Sequence, residues 1–221
     1  MKKLMMVAMA LIVACSVSFA QNAQKERQAI RKMAKHELSA KVDKSAKKEA
    51  KKLLKQGWMV SPGALPLEKQ LNESYLLQMQ YDENDFPKYI MGEAQSIGQN
   101  YDAAKASALS LAITNLAGSI QTEVTSLVES TVANKQLEAG EAASIVETVQ
   151  ASKNLISQSI GRTRTVVECY RENKKNGNKE VLVRLAYNGE MAKKAVMEAV
   201  KDELEKKGEN LHAELNKALG L

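Results

Sequence analysis

Two histidines and two cysteines are the first residues of which to ask chemistry. His36 and His212 lie far apart, and neither has a second His or a Cys at metal-ligand spacing. Both fall in polar, helix-forming stretches, where an exposed imidazole is expected. A Cys–His nucleophile would need Cys169 beside one of them. Cys169 instead follows Val166-Val167-Glu168 in an apolar run and reads as a small strand residue. The segment Gly57 to Gly63 is not followed by Gly-Lys-Ser/Thr, so it is a turn and not a phosphate loop. Glu141 with Glu147, and Glu168 with Glu172, are pairs only because Glu is frequent here, and no pocket can be inferred around them. The expected catalytic, cofactor and metal sets are therefore empty, and the chain reads as non-enzymatic.

The lysines carry more information. Lys47, Lys48, Lys51, Lys52 and Lys55 repeat at helical spacing and draw a cationic stripe. The precursor is +6, and residues 25–56 hold twelve Lys/Arg against four Asp/Glu, or +8. Residues 57–221 are near −4, so the basic character belongs to one segment. Such a stripe serves either as a solvated stalk or as a contact for an anionic membrane surface or envelope polymer, where each Lys is worth about 1 kcal/mol. It lacks the Trp/Phe/Leu face of an insertion helix, so contact would be electrostatic and salt-sensitive. Nucleic acid is not expected, because no aromatic residues interleave with the lysines. Trp58, just beyond the stripe, stands where either a partner-binding anchor or a cap on the core would stand.

The elements that position these residues follow from periodicity. Residues 22–56 contain no Gly or Pro and read as one long helix. Its apolar line of mostly small residues (Ile30, Ala34, Leu38, Val42, Ala46, Ala50, Leu54) is weak, so the helix would dock loosely or project. Gly57 to Gly63 breaks it. Pro66 would open a second helix over 66–80 that buries Leu67, Leu71, Tyr75 and Leu76. Lys88 to Ile97 reads as a strand with Gly92 at a bulge. Asp102 would cap a long helix over 102–134, whose Leu109, Ile113, Leu116, Ile120, Val124 and Val128 obey the 3.6 period. Residues 141–160 make a further helix. Strands over 164–171 and 181–187 flank Asn176-Gly177, which supplies the positive φ angles of a tight hairpin. A helix over 190–207 ends at Gly208, and a tail helix over 209–219 follows. The expected fold is α+β: a three-stranded, mostly antiparallel sheet with long helices on one face and a basic helical extension at the N-terminus. The expected divisions are 1–20, 21–56 as the extension, 57–85 as connecting turn and helix, 86–208 as the core domain, and 209–221 as the tail.

Residues 1–20 read as a signal peptide. Lys2 and Lys3 form a positive start, Leu4 to Cys15 an apolar run too short to span a bilayer, and Ser18-Phe19-Ala20 a small-residue cleavage site. Cleavage ahead of Cys15, at the loose lipobox Ile12-Val13-Ala14-Cys15, is the alternative and would leave Cys15 lipidated. With Cys15 removed, Cys169 has no partner for an intramolecular disulfide.

Ser96-Ile97-Gly98, Tyr101-Asp102-Ala103-Ala104-Lys105-Ala106, Asn115-Leu116-Ala117 and the later Val166-Val167-Glu168 and Val181-Leu182-Val183-Arg184 hairpin form a pattern. Over residues 86–205 it resembles the LPP-twenty-like family of small envelope lipoproteins, whose fold also occurs as the N-terminal domain of a flagellar outer-ring protein. Gly57-Trp58 and Pro66-Leu67-Glu68 resemble exported proteins of anaerobic Gram-negative bacteria more closely still. The resemblance implies a strand, an Ala-rich helix, a hairpin and a closing helix. It also implies a structural or interaction role at the outer membrane, without catalytic residues. The chain departs from that family in its poor lipobox, its helix over 141–160 and its basic N-terminal segment. The expectation is an exported protein of the periplasm or outer-membrane periphery, partnered by an envelope protein, by itself, or by an anionic surface.

Overall fold

The most buried of the three strands sits at the centre of the sheet. The computed structural model describes residues 41–133, 137–208 and 210–221. It contains β1 (Tyr89–Gly98), β2 (Arg164–Glu172) and β3 (Lys179–Asn188), in the order β1-β3-β2, with both pairings antiparallel. Seven helices are described: α1 (Lys44–Lys55), α2 (Leu67–Gln78), α3 (Tyr101–Ala133), α4 (Ala139–Ala151), α5 (Lys153–Ser159), α6 (Gly189–Lys207) and α7 (Leu211–Leu219). The fold is α+β, with an all-antiparallel sheet. Asp43–Leu221 form one compact unit.

Alternation along β3 decides which residues meet which layer. Val181, Val183 and Leu185 point to one face and are fully buried against Ala104, Ala108 and Ala112 of α3. The small alanines let the helix lie close to the strands. Gly92 marks the closest approach: a Cβ there would stand 2.4 Å from the Ala112 carbonyl oxygen and 2.5 Å from the Leu116 Cβ. At 33 residues, α3 is about 50 Å long and overruns the sheet. Its second half, through Ile120, Val124 and Val128, enters a helical core with Ile145, Val149, Val196, Leu204 and Leu215. Each such side chain contributes about 1.5–3 kcal/mol relative to exposure.

α2 packs on β2 and β1, and α1 packs on α2, so helices do not lie on one face only. Arg184 of β3 donates to Ser74 Oγ at 3.0 Å and pairs with Glu93 and, at 3.9 Å, with Glu49. Val167 and Cys169 of β2 are fully buried.

Several local expectations are corrected. Residues 41–43 are not helical, so the continuous helix over 22–56 does not exist. Asp43 caps α1 by accepting from the Ser45 amide at 2.7 Å, which starts a new helix there. That amide holds the Asp43 carboxyl below its ordinary value. Residues before 41 lie outside the described segments. α1 also belongs to the body rather than to an extension: Ala46 and Ala50 are buried. Gly92 is no bulge, because its register with Leu185 is regular; the bulge falls in β2 between Thr165 and Val167. Asn100, not Asp102, caps α3, its side chain accepting from the Ala103 amide at 2.9 Å. The helix expected over 141–160 is two, broken at Ser152. Only Gly177 in the hairpin turn has a positive φ, so the connection is a longer turn closed by Gly177 N–H to Asn173 O at 2.8 Å. The helix expected over 190–207 does end at Gly208, although that residue is extended, at φ 179°. The tail helix buries Leu211, Leu215 and Leu219 and is part of the core.

A candidate anion-binding helix and the cleft at its end

Successive residues of α1 turn by about 100°, which sorts its side chains into two faces. Ala46 and Ala50 lie on the buried side. Lys44, Lys48, Lys51 and Lys55 fall within an arc of about 60° directly opposite, and Lys47 and Lys52 flank them. All six are exposed. None forms a salt bridge with a carboxylate among the described residues, although Lys44 acts on the neighbouring carboxylate of Asp43, and the one carboxylate of the helix, Glu49, turns toward Arg184. Like charges three and four residues apart repel, each pair costing about 0.2–0.5 kcal/mol. The sequence leaves that cost in place, while Asp43 at one end and buried alanines along the other face keep the helix formed.

At its C-terminal end α1 meets the β2–β3 hairpin. A cleft of about 760 Å³ opens there, lined by Lys55, Gln56, Gly57, Met59, Arg171 and Lys174 together with Glu172, Asn173 and Glu180. Glu172 is paired with Lys179, and Glu180 with Arg171. Lys55 and Lys174 carry the unbalanced charge.

Trp58 does not belong to this exposed surface. It is 3% exposed, with the Arg171 guanidinium 4.7 Å from its ring centre. The partner-anchor expectation for Trp58 is therefore corrected: it caps the core where α1 joins the sheet. Met59, next to it, extends the free edge of β2 by exchanging backbone hydrogen bonds with Tyr170, both 2.8 Å. The structure thus gathers Lys47, Lys48, Lys51, Lys52 and Lys55 on one surface and separates Trp58 from them. Cys15 lies outside the described residues.

The remaining reactive groups are occupied. Cys169 is buried, and desolvation pushes its thiol up to about 12, so it is protonated at neutral pH. Ser61, Tyr101 and Lys105 do come together, an arrangement sequence reading missed although Tyr101 and Lys105 share the i, i+4 signal of one helix face. The Tyr101 phenol donates to Glu168, the Lys105 ammonium lies 2.9 Å from the same carboxylate oxygen, and Ser61 Oγ is 3.2 Å from the phenol. Burial and that hydrogen bond raise Tyr101, and the bond to Glu168 raises Lys105. Both shifts favour the protonated forms, and the shared carboxylate ties α3 to β2. Among the described residues no group of three or more His, Cys, Asp or Glu is placed to hold a metal, and no helix is long and apolar enough to cross a membrane. No family model, curated protein or solved structure matches the chain.

Proposed function

We propose that this protein is a non-catalytic module of the bacterial cell envelope that engages an anionic surface through α1. One observation carries the reading: six exposed lysines on one helix face, none in a salt bridge among the described residues, opposite the face that docks the helix. Repulsion that the fold leaves unrelieved is relieved when an anion arrives. The export reading of Lys2-Lys3, the apolar run and Ser18-Phe19-Ala20 supports the compartment, and so does the likeness of residues 86–205 to the LPP-twenty-like family. Among the described residues, Cys169 is buried with its thiol protonated, and Tyr101 and Lys105 both bond Glu168.

The test is a map of backbone amide resonances as dextran sulfate is added to the chain beginning at Gln21. The amides of residues 44–55 move first and most, and those of α6 stay still. Perturbation centred on α4 or α6, or none at all, would remove the proposal.

A further inference from the structure

The anionic partner of α1 can be named more closely from what lies beside the lysines. The connection from α1 to α2 contains Pro62-Gly63-Ala64-Leu65-Pro66, five consecutive residues without a polar side chain, all exposed. Leu65 is 44% exposed. Leu54, within the lysine run of α1, is 56% exposed, and Met59, which lines the cleft with Lys55, is 45% exposed. Leu54 and Met59 flank the end of the helix, where the chain turns tightly: the Gly57 amide bonds the Leu54 carbonyl at 3.1 Å and the Trp58 amide bonds the Leu53 carbonyl at 3.1 Å. The Pro62–Pro66 loop follows that turn in the chain. A soluble polyanion rewards lysines and gains nothing from exposed Leu, Met and Pro. A bilayer surface rewards both, because headgroup phosphates meet the lysines while aliphatic side chains enter the acyl boundary.

We infer that the partner is an anionic lipid bilayer, with the α1 lysines on the headgroup phosphates and Leu54, Met59 and the Pro62–Pro66 loop entering the interface. This rests on the proposal that α1 is the anion-binding face. It adds a salt-resistant component that charge alone does not give. No titration or covalent step is involved.

The experiment uses the chain from Gln21 with three probes: phosphatidylglycerol/phosphatidylcholine vesicles, pure phosphatidylcholine vesicles, and dextran sulfate. Two variants accompany it. In one, Leu54 and Leu65 become Ser (L54S/L65S), both at exposed positions. In the other, Lys48, Lys51, Lys52 and Lys55 become Gln. Removing each lysine is expected to weaken binding to the mixed vesicles about fivefold. The Leu54→Ser/Leu65→Ser variant is expected to lose about tenfold on the mixed vesicles and nothing on dextran sulfate. Equal vesicle binding by that variant and the wild-type chain would overturn the inference. So would binding of dextran sulfate without binding of vesicles, which identifies a polymer as the partner and leaves the α1 proposal standing. If the wild-type chain binds none of the probes, the α1 proposal falls with it.

Discussion

The guanidinium of Arg171 lies 4.7 Å from the centre of the Trp58 ring and pairs at the same time with Glu180. The ring is buried and the cation sits on it from the solvent side, so Trp58 holds the end of α1 onto the hairpin. Replacing Trp58 by Ala should cost about 3–5 kcal/mol. Replacing Arg171 by Lys, which keeps the charge but loses the planar fork and its stacking, should cost about 1 kcal/mol. Chemical denaturation followed by circular dichroism checks both. An equal cost for the two would mean that the ring contributes no more than the cation above it.

Gly92 sets the distance between β1 and α3. A Cβ 2.4 Å from a backbone carbonyl has no flexible neighbour to displace. Gly92→Ala should therefore cost about 3 kcal/mol through overpacking. Gly140→Ala, in α4 with open space around it, should be neutral or stabilise by up to about 1 kcal/mol. Thermal melts of the two variants separate a packing constraint from a general intolerance of Ala.

Sequence and structure part company for physical reasons that can be named residue by residue. The strands, α3 and α6 were legible because Val181, Val183 and Leu185, or Leu116, Ile120 and Val124, keep a clean period over a well-packed face. α2 was misphased. Its Leu71, Tyr75, Leu76 and Leu77 offer overlapping apolar stripes, and Leu76 ends 58% exposed. The helix turns instead to bury Ser74, which receives Arg184, and Gln70, which donates to the Leu65 carbonyl at 2.7 Å and accepts from the Glu168 amide at 2.7 Å. Arg184 and Glu168 belong to the sheet and lie about a hundred residues away in the chain, so no local pattern marks them. The lysine stripe was legible from spacing alone. That α1 docks through two alanines depends on α2, and that Trp58 faces inward depends on the hairpin, whose Arg171 lies over its ring.

Lys193 is 3% exposed, 2.9 Å from Glu190 and 3.4 Å from Asp82, with the Phe86 ring 4.7 Å away. Burial alone would raise the Asp82 carboxyl. The amides of Phe86 and Asn84 and the Lys193 ammonium outweigh it, and the net shift is downward. A carboxyl depressed in the folded state stabilises above its unfolded value of about 3.9, and that stability disappears as pH falls through the folded value. Asp82→Asn should cost about 2 kcal/mol at neutral pH. The gap between variant and wild type should close as pH drops below about 4. Urea unfolding across that range reads it directly.

Cys169, with its thiol raised to about 12, should resist alkylation in the folded state. At pH 8 its thiolate fraction is about three orders of magnitude below that of a free cysteine. Maleimide or disulfide-exchange labelling should therefore follow unfolding, and the folded protein should keep an unlabelled thiol. Rapid labelling of the folded chain would contradict its burial in β2.

The central claim is that the α1 lysines form the anion-binding surface. The most direct measurement compares the chain from Gln21 with its Lys48, Lys51, Lys52 and Lys55 to Gln variant on phosphatidylglycerol-containing vesicles. Both are run at low salt and at about 0.15 M, where charges more than about 8 Å apart are screened. The other basic residues of 25–41 are common to both chains and cancel from the comparison. The account predicts that the wild-type chain binds more tightly at low salt, that the variant is weaker by a factor of several hundred there, and that the difference narrows as salt rises. Equal binding by the two chains at low salt would contradict it.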